Sequence, residues 1–191
     1  MSGPVTTVSR RDAVLVLVDV QERLASAMAR RDEVVSGCVL LARAARILGI
    51  PVIVTRQYPR GLGEVVPEFA PLLADEVVVD KVAFDCTREP AFASALRATG
   101  RRQVVLVGME AHICITQTAL ALLAEGYDVH VAADAVCSRR DRDRDGALGR
   151  LRAAGVVVTA VESVIYEALG EAGTPTFREV LALVKEHPVS G

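Results

Sequence analysis

Cys114 occupies a position where a thiol could act as a nucleophile. It follows the apolar run Val104–Val107 and the segment Gly108–Ile113, a pattern that predicts a strand, a tight turn and the start of a helix. Backbone N–H groups in the first turn of a helix lack partners within the helix, and they lower the pKa of a nearby thiol together with the helix dipole. The same N–H groups can bind a developing oxyanion. The pattern therefore indicates nucleophilic catalysis.

Asp19 and Lys81 carry the two other groups that such chemistry needs. Each follows an apolar, Val-rich run, so each is expected at the end of a strand. A carboxylate can accept the thiol proton, and a cation can stabilise the charges that result. On spacing alone, a buried and inert Cys114 remains an alternative to the nucleophile.

The elements that must position these residues alternate along the chain. Short runs rich in Val predict six strands, at Ala13–Val18, Pro51–Thr55, Val77–Val79, Val104–Val107, Val129–Ala132 and Val156–Val158. Helical patterns predict helices at Asp32–Ile47, Ile113–Ala124, Asp145–Ala154 and Phe177–Glu186.

Strands that read as buried on both faces and alternate with helices predict a parallel sheet with helices on each side. We therefore expect a single three-layer α/β/α domain with a six-stranded, mostly parallel, Rossmann-like sheet. Ligands of such sheets bind beyond the carboxyl ends of the strands. The residues expected at that rim are Asp19, Gln21, Arg56, Gln57, Tyr58, Lys81, Phe84, Glu110, His112, Cys114, Asp134 and Ser138.

The composition is that of a globular protein. Of 191 residues, 51% are hydrophobic and 24% are charged, and the formal net charge is −2, which gives no electrostatic reason to expect nucleic acid. Every apolar run is too short for a membrane span. The four cysteines form no C-x-x-C pair or dense framework, which favours a reduced, cytoplasmic location.

Residues 1–11 are expected to be a flexible lead-in, and residues 12–187 the domain. The longest stretch without a clear element is Gln57–Asp75, which is rich in Pro and Gly. Loops of that length are usually functional or form oligomers. The apolar Leu62–Leu73 part makes a homo-oligomer the expected state.

Several segments resemble the isochorismatase-like cysteine hydrolases. They are Asp19-Val20-Gln21, Lys81-Val82-Ala83-Phe84, Gly108–Ala119 and the later Ala133–Arg139, in the family's order. The resemblance extends from about residue 12 to about residue 184, and Gly108–Ala119 is its most specific part. The Thr55–Gly63 loop is similar to the uncharacterised isochorismatase-domain subgroup rather than to nicotinamidases.

The resemblance implies a catalytic triad of Cys114, Asp19 and Lys81. It also implies a cis peptide between Met109 and Glu110, with the backbone N–H groups of Glu110 and Cys114 forming an oxyanion hole. In the family's amidases the thiolate attacks a carbonyl carbon and gives a thioester, which water hydrolyses. Asp19 would accept and return the proton, and Lys81 would keep Asp19 ionised.

The sequence departs from the nicotinamidases at their metal site. Their Asp and His ligands follow the second strand, where this chain has Arg56-Gln57-Tyr58-Pro59-Arg60 and no His. We therefore expect no metal. No G-x-G-x-x-G or G-K-[ST] motif follows a strand, so no phosphate or dinucleotide cofactor is expected either. Isochorismatases cleave a vinyl ether and need no cysteine, so the family name leaves the substrate open.

The remaining candidates have two interpretations each. We expect substrate contacts from Gln21, Tyr58, Phe84, His112 and Ser138, although Tyr58 and Phe84 could equally be packing residues. His112 could instead form a dyad with Cys114, but a role in shaping the pocket is favoured. Among the other thiols, Cys86 could approach the rim, whereas mid-helix Cys38 is expected in the core.

Two classes of function fit these observations. The favoured one is a metal-independent and cofactor-free hydrolase that acts on a small amide, ester or related acyl compound. The alternative is a non-catalytic or redox-responsive oligomeric binding protein that keeps the fold, because a thiol of low pKa is also readily oxidised. Retention of Asp19, Lys81 and Cys114 together favours the enzyme, since a binding protein has no need of all three.

Overall fold

The computed structural model describes residues 7–74 and 76–187, which form one sheet covered by helices. The strands are β1 (Ala13–Val18), β2 (Val52–Gln57), β3 (Val77–Lys81), β4 (Gln103–Met109), β5 (Asp128–Cys137) and β6 (Val157–Thr159). Their order in the sheet is β3-β2-β1-β4-β5-β6, and every pair is parallel.

The longer helices are α1 (Arg31–Leu48), α2 (Pro90–Ala98), α3 (Thr116–Ala124), α4 (Asp141–Ala154), α5 (Val161–Leu169) and α6 (Pro175–Glu186). Short helical turns span Glu22–Ala25, Pro59–Leu62, Pro67–Phe69, Ala70–Leu73, Cys86–Arg88 and Ala111–Ile115. Gly49 ends α1 in the left-handed conformation, with φ at 68°, as the sequence predicted for a glycine after a helix.

The side chains of β1 alternate between two separate cores. Leu15 and Leu17 pack on the face covered by α1, α5 and α6, whereas Val14 and Val16 pack on the face covered by α2, α3 and α4. This alternation is the two-residue period of a strand. The predicted three-layer α/β/α domain with a six-stranded sheet is confirmed, and the sheet is entirely parallel.

Most strands continue beyond the apolar run that predicted them. Arg56 and Gln57 belong to β2, Lys81 ends β3, and Asp134 lies inside β5. The main-chain ladder does not depend on side-chain polarity, so hydrophobic patterning locates only the buried part of each strand. The helices α2 and α5 were missed by the sequence interpretation.

Only residues 7–11 of the predicted lead-in are described by the structure. Residues 1–6 of the predicted flexible lead-in lie outside the described residues. Val8, however, is fully buried, and its N–H donates to Glu167 at 2.8 Å, so the later part of the lead-in packs on the domain.

The apolar segment 62–73 does not form the exposed oligomer surface expected from the sequence. Val66, Phe69 and Leu72 point into the core of their own chain rather than outward. This segment therefore offers little apolar surface to another subunit. Within residues 7–74 and 76–187, no helix has the length and hydropathy of a membrane span.

Candidate active site

The strand register brings the acid and the cation of the site to one edge of the sheet. Val18, the last residue of β1, is aligned with Thr55, and Gln57 is aligned with Lys81. Asp19 directly follows Val18. Because the strands are parallel, these polar residues meet at the carboxyl end of the sheet, where ligands of this architecture bind.

Asp19 is completely buried and held from several sides. Its backbone adopts a positive φ of 55°, which is uncommon for a residue with a side chain, and its N–H donates to the Thr55 carbonyl at 3.1 Å. The Thr55 hydroxyl donates to Oδ1 at 2.7 Å, and Lys81 Nζ lies 2.7 Å from Oδ2. The carboxylate therefore has a fixed orientation.

Lys81 connects the carboxylate to the thiol. Its Nζ donates to Gln57 Oε1 at 2.6 Å and to the Ala83 carbonyl at 3.2 Å, and it lies 3.6 Å from Cys114 Sγ. Burial is the largest single influence and lowers the pKa of Lys81, but the interactions with Asp19, Cys86 and Cys114 together outweigh it and raise this pKa overall. The side chain is therefore a buried ammonium that contacts both partners.

Cys114 lies in the π-helical turn Ala111–Ile115, directly before α3. Such turns are frequent at functional sites. The thiol is almost fully buried, and burial, followed by the charge of Asp19, raises its pKa well above the ordinary value although Lys81 lowers it. This corrects the expectation of a lowered pKa. A protonated thiol needs a base, and Asp19 is the carboxylate whose charge acts on Cys114, while Lys81 contacts both groups.

The end of β4 approaches β1 closely. At Gly108, whose φ is 117°, a Cβ atom would stand 2.1 Å from the Val18 carbonyl oxygen, so only glycine fits. The following Met109–Glu110 peptide bond is cis. The Glu110 side chain is buried and accepts from the Arg139 N–H at 2.9 Å, which fixes the segment before the nucleophile.

Of three expected substrate contacts, Gln21 is buried, whereas Tyr58 and Phe84 are exposed. The structure corrects the expectation that Gln21 contacts substrate. Its side chain is fully buried, and its amide forms hydrogen bonds of 2.7 to 3.1 Å with main-chain groups of Gln57 and Gly63, so it shapes the loop. Tyr58 and Phe84 are both more than half exposed and flank the end of β3. Their exposure agrees with a ligand-facing role.

His112 and Ser138 contact each other across the site. His112 Nδ1 lies 2.9 Å from the Ser138 hydroxyl, and Ser138 is buried. His112 therefore has a polar partner other than Cys114, which disfavours the alternative Cys–His dyad. The Asp134 carboxylate accepts the Val161 N–H at the start of α5, so it holds the beginning of that helix.

The other thiols are buried, and one lies near the site. Cys86 accompanies Lys81 and Asp19, and burial raises its pKa to about 11 although Lys81 opposes the shift. Cys137 has its pKa raised to about 12, mainly by burial. Cys38 donates to the Ala135 carbonyl at 3.4 Å in the core, as its mid-helix position predicted.

The sequence did not predict the orienting role of two residues: Thr55 was expected only as part of a strand, and Gln57 only as a rim residue. Thr55 and Gln57 hold Asp19 and Lys81, respectively. The sequence contained an indication of this role, because both residues are polar, lie two positions apart and therefore share one face of a buried strand. Across the described ranges, no three His, Cys, Asp or Glu side chains are grouped closely enough to hold a metal ion.

The sequence comparisons identify the family. Residues 13–163 match the model of the isochorismatase domain. Isochorismatase domain-containing protein 1 of Salmo salar is 41% identical over 93% of this chain, but the chain spans only 63% of that relative's length. Isochorismatase domain-containing protein 2 of Xenopus laevis is 40% identical over 92% of this chain and 85% of its own length.

Solved structures agree with the sequence comparison. The MAR1 ribonuclease of Caenorhabditis elegans is 37% identical, with a TM-score of 0.89 over 96% of this chain and 95% of its own. YcaC of Pseudomonas aeruginosa, solved with hexane-2,5-diol and covalent acrylamide, is 26% identical, with a TM-score of 0.87 over 97% of both chains. YcaC of Escherichia coli, an octameric hydrolase of unknown specificity, is 25% identical, with a TM-score of 0.86 over 96% of this chain and 90% of its own. Taken together with the matched domain, these similarities show that the chain belongs to the isochorismatase family.

Proposed function

We propose that this protein is a cysteine hydrolase that cleaves a small amide, ester or related acyl compound through a thioester on Cys114. One observation carries the proposal: the buried Lys81 ammonium lies 2.7 Å from Asp19 Oδ2 and 3.6 Å from Cys114 Sγ. A base and a thiol that share one buried cation are the parts that nucleophilic acyl transfer requires.

Acylation begins with proton transfer from the thiol to Asp19. Cys114 Sγ then attacks the carbonyl carbon, and the carbonyl electron pair moves to oxygen, where the backbone N–H groups of Glu110 and Cys114 stabilise the oxyanion. Collapse of the tetrahedral intermediate breaks the bond to the amine or alcohol, which receives the proton from Asp19. Throughout these steps Lys81 offsets the charge that moves between Asp19 and the sulfur.

Deacylation uses the same carboxylate. Asp19 takes a proton from water as the water oxygen attacks the thioester carbon, and the acid is released when the thiolate regains that proton. The proposal includes no metal, because Lys81 and Thr55 already engage both oxygens of the Asp19 carboxylate. It includes no cofactor, because the triad supplies the nucleophile, the base and the positive charge.

A hydrolysis screen with matched cysteine variants tests the proposal. 4-Nitroanilides and 4-nitrophenyl esters of short acids are incubated with wild type, Cys114→Ala and the core variant Cys38→Ala. We expect turnover in wild type and Cys38→Ala, a loss of at least about a thousandfold in Cys114→Ala, and an acyl adduct on Cys114 by mass spectrometry. Undiminished turnover in Cys114→Ala would exclude covalent catalysis by this residue.

The relatives suggest two further arms for the screen. The covalent acrylamide in the Pseudomonas aeruginosa YcaC structure makes acrylamide a suitable first label for Cys114. The name of the Caenorhabditis elegans relative makes RNA a necessary test substrate. RNA offers no acyl carbon, so cleavage that depends on Cys114 would contradict the proposed chemistry and the proposed absence of a nucleic-acid partner.

The redox-responsive binding protein remains the second candidate, because Cys86 and Cys114 both interact with Lys81. Reversible peroxide oxidation of Cys114 without turnover of any acyl substrate would favour it. A reduced, cytoplasmic compartment fits both candidates, since the four cysteines are free thiols in the described part of the chain.

We also propose a homo-oligomer. The support is the exposed edge strand β3, on which Val77 and Val78 leave 49% and 39% of their surface in solvent, and the octameric state of the Escherichia coli relative. Sedimentation of wild type and a Val77→Lys/Val78→Lys variant tests this. A wild type that sediments as a monomer at micromolar concentration would contradict it.

A further inference from the structure

A cleft of about 400 Å³ opens beside Lys81, at the carboxyl end of the edge strand β3. Its walls include Tyr58, Arg60, Asp80, Lys81, Val82 and Glu89. The side chain of Lys81 is fully buried, so its main chain forms the wall while its ammonium reaches Cys114. Lys81 therefore links the wall of the cleft to the thiol.

The two carboxylates of the cleft already have partners. Asp80 accepts two hydrogen bonds from the Arg56 guanidinium, at 2.7 and 3.0 Å. Glu89 Oε1 accepts the N–H groups of Val82 and Ala83 at 2.9 and 3.1 Å. These contacts orient both carboxylates toward the protein, so neither is available to bind a cationic ligand without losing its own hydrogen bonds.

Arg60 differs from these groups because its guanidinium is uncommitted. The side chain is exposed, and it forms neither an ion pair nor a hydrogen bond with any of the residues that the structure describes. A planar guanidinium matches a carboxylate or a phosphate through paired N–H donors. Arg60 therefore gives this cleft a free binding group for an anion.

Tyr58 provides a rigid apolar surface two residues before Arg60. Its φ is 38°, its N–H donates to the Lys81 carbonyl at 2.8 Å, and the residue is 55% exposed. The ring lies against Gly61, where a Cβ atom would stand only 2.5 Å from it. A bulky residue in this strained conformation, with its ring exposed beside a catalytic site, is a typical ligand-contacting feature.

We infer that this cleft binds the non-reacting end of the substrate, and that this end carries a carboxylate or phosphate for Arg60 and a flat or aliphatic part for Tyr58. The inference rests on the proposed acyl-hydrolase function and narrows its substrate class to small anionic acyl compounds. Cys114 would attack the carbonyl at one end of such a molecule while Arg60 holds its charged end.

Two anilides that differ only in charge test the inference by turnover. N-(4-nitrophenyl)succinamic acid and 4-nitrobutyranilide have acyl chains of the same length, but only the first has a free carboxylate. We expect wild type to favour the acid, and Arg60→Gln to lower the ratio of the two kcat/KM values by about ten- to a hundredfold. Arg60→Lys should give an intermediate ratio, and the exposed α2 variant Arg97→Gln should leave it unchanged. An unchanged ratio in Arg60→Gln would overturn the inference.

A binding experiment separates this inference from the proposed reaction. Equilibrium dialysis measures 4-nitrobenzoate, 4-nitrophenyl phosphate and neutral 4-nitrobenzamide on Cys114→Ala and on the Cys114→Ala/Arg60→Gln double variant. Loss of anion binding in the double variant supports the subsite even if no anilide is hydrolysed, in which case the hydrolase proposal fails alone. The tighter of the two anions identifies the charged group, and equal binding to both proteins would overturn the subsite.

Discussion

Lys81 Nζ lies 2.7 Å from Asp19 Oδ2, and neither side chain has any exposed surface. Removing one member of such a buried pair leaves the other charge uncompensated, which typically costs about 3–5 kcal/mol. The ion pair therefore contributes to the stability of the rim as well as to its chemistry.

Lys81→Met should lower the free energy of unfolding by about 3–5 kcal/mol, as measured by urea denaturation. Thr55→Val removes only one hydrogen bond to the same carboxylate and should cost about 1–3 kcal/mol. The double variant Lys81→Met/Asp19→Asn should recover part of the loss because it removes both charges. If the effects of Lys81→Met and Asp19→Asn on the free energy of unfolding were strictly additive, the two side chains would not be coupled.

Substitutions of Asp19 and Lys81 should shift the pH dependence of Cys114 alkylation in opposite directions. Because burial and Asp19 raise the pKa of the thiol, the iodoacetamide rate of wild type should still be rising at pH 9. Asp19→Asn removes the negative charge and should shift the pH profile downward, whereas Lys81→Met should shift it upward. Mass spectrometry of the Cys114 peptide gives the rates, with Cys114→Ser as the blank. A profile that levels off near pH 8.5 in all three proteins would contradict this account.

Gly108→Ala should destabilise the protein by more than about 2 kcal/mol. The new Cβ would collide with the Val18 carbonyl, and the alanine would have to adopt a φ of 117°. Gly149, within α4, is the matched control because nothing beyond the adjacent backbone of its own helix lies within 4 Å of an added methyl group. Gly149→Ala should therefore stabilise the protein by about 0.5–1 kcal/mol. Thermal unfolding of the two variants should therefore move in opposite directions.

His130 should make stability depend on pH. It is fully buried in β5, neither ring nitrogen has a hydrogen-bond partner among the described residues, and burial lowers its pKa. The unfolded chain therefore binds the proton more readily, so this contribution to stability is complete above about pH 6.5 and is lost as the pH falls toward the folded-state pKa.

His130→Leu should flatten that part of the profile and leave the dependence caused by carboxylates. Urea denaturation at intervals between pH 4.5 and 8 compares the two proteins. Parallel wild-type and variant curves would show that His130 does not titrate between the folded and unfolded states.

The sequence and the structure agree most closely where side-chain pattern and burial coincide. The continuous apolar run of β1 and the helix that ends at Gly49 were predicted within one residue of their observed bounds. Agreement was weaker where a strand continued through polar residues such as Gln57 and Lys81, because the ladder that holds them is made by main-chain groups. The role of the apolar segment 62–73 was misjudged, because a hydrophobic pattern does not show whether apolar side chains pack within their own chain or against another subunit.

By itself, the sequence determined the alternating architecture and the family resemblance. It also placed Asp19, Lys81 and Cys114 near the carboxyl ends of strands, because all of these features follow from short-range patterns. Only the tertiary structure decided how these residues interact. Strand register set Thr55 on Asp19 and Gln57 on Lys81, and burial raised the pKa of the Cys114 thiol that the helix start was expected to lower. Desolvation and charge proximity depend on atoms that are distant along the chain, and no local pattern contains them.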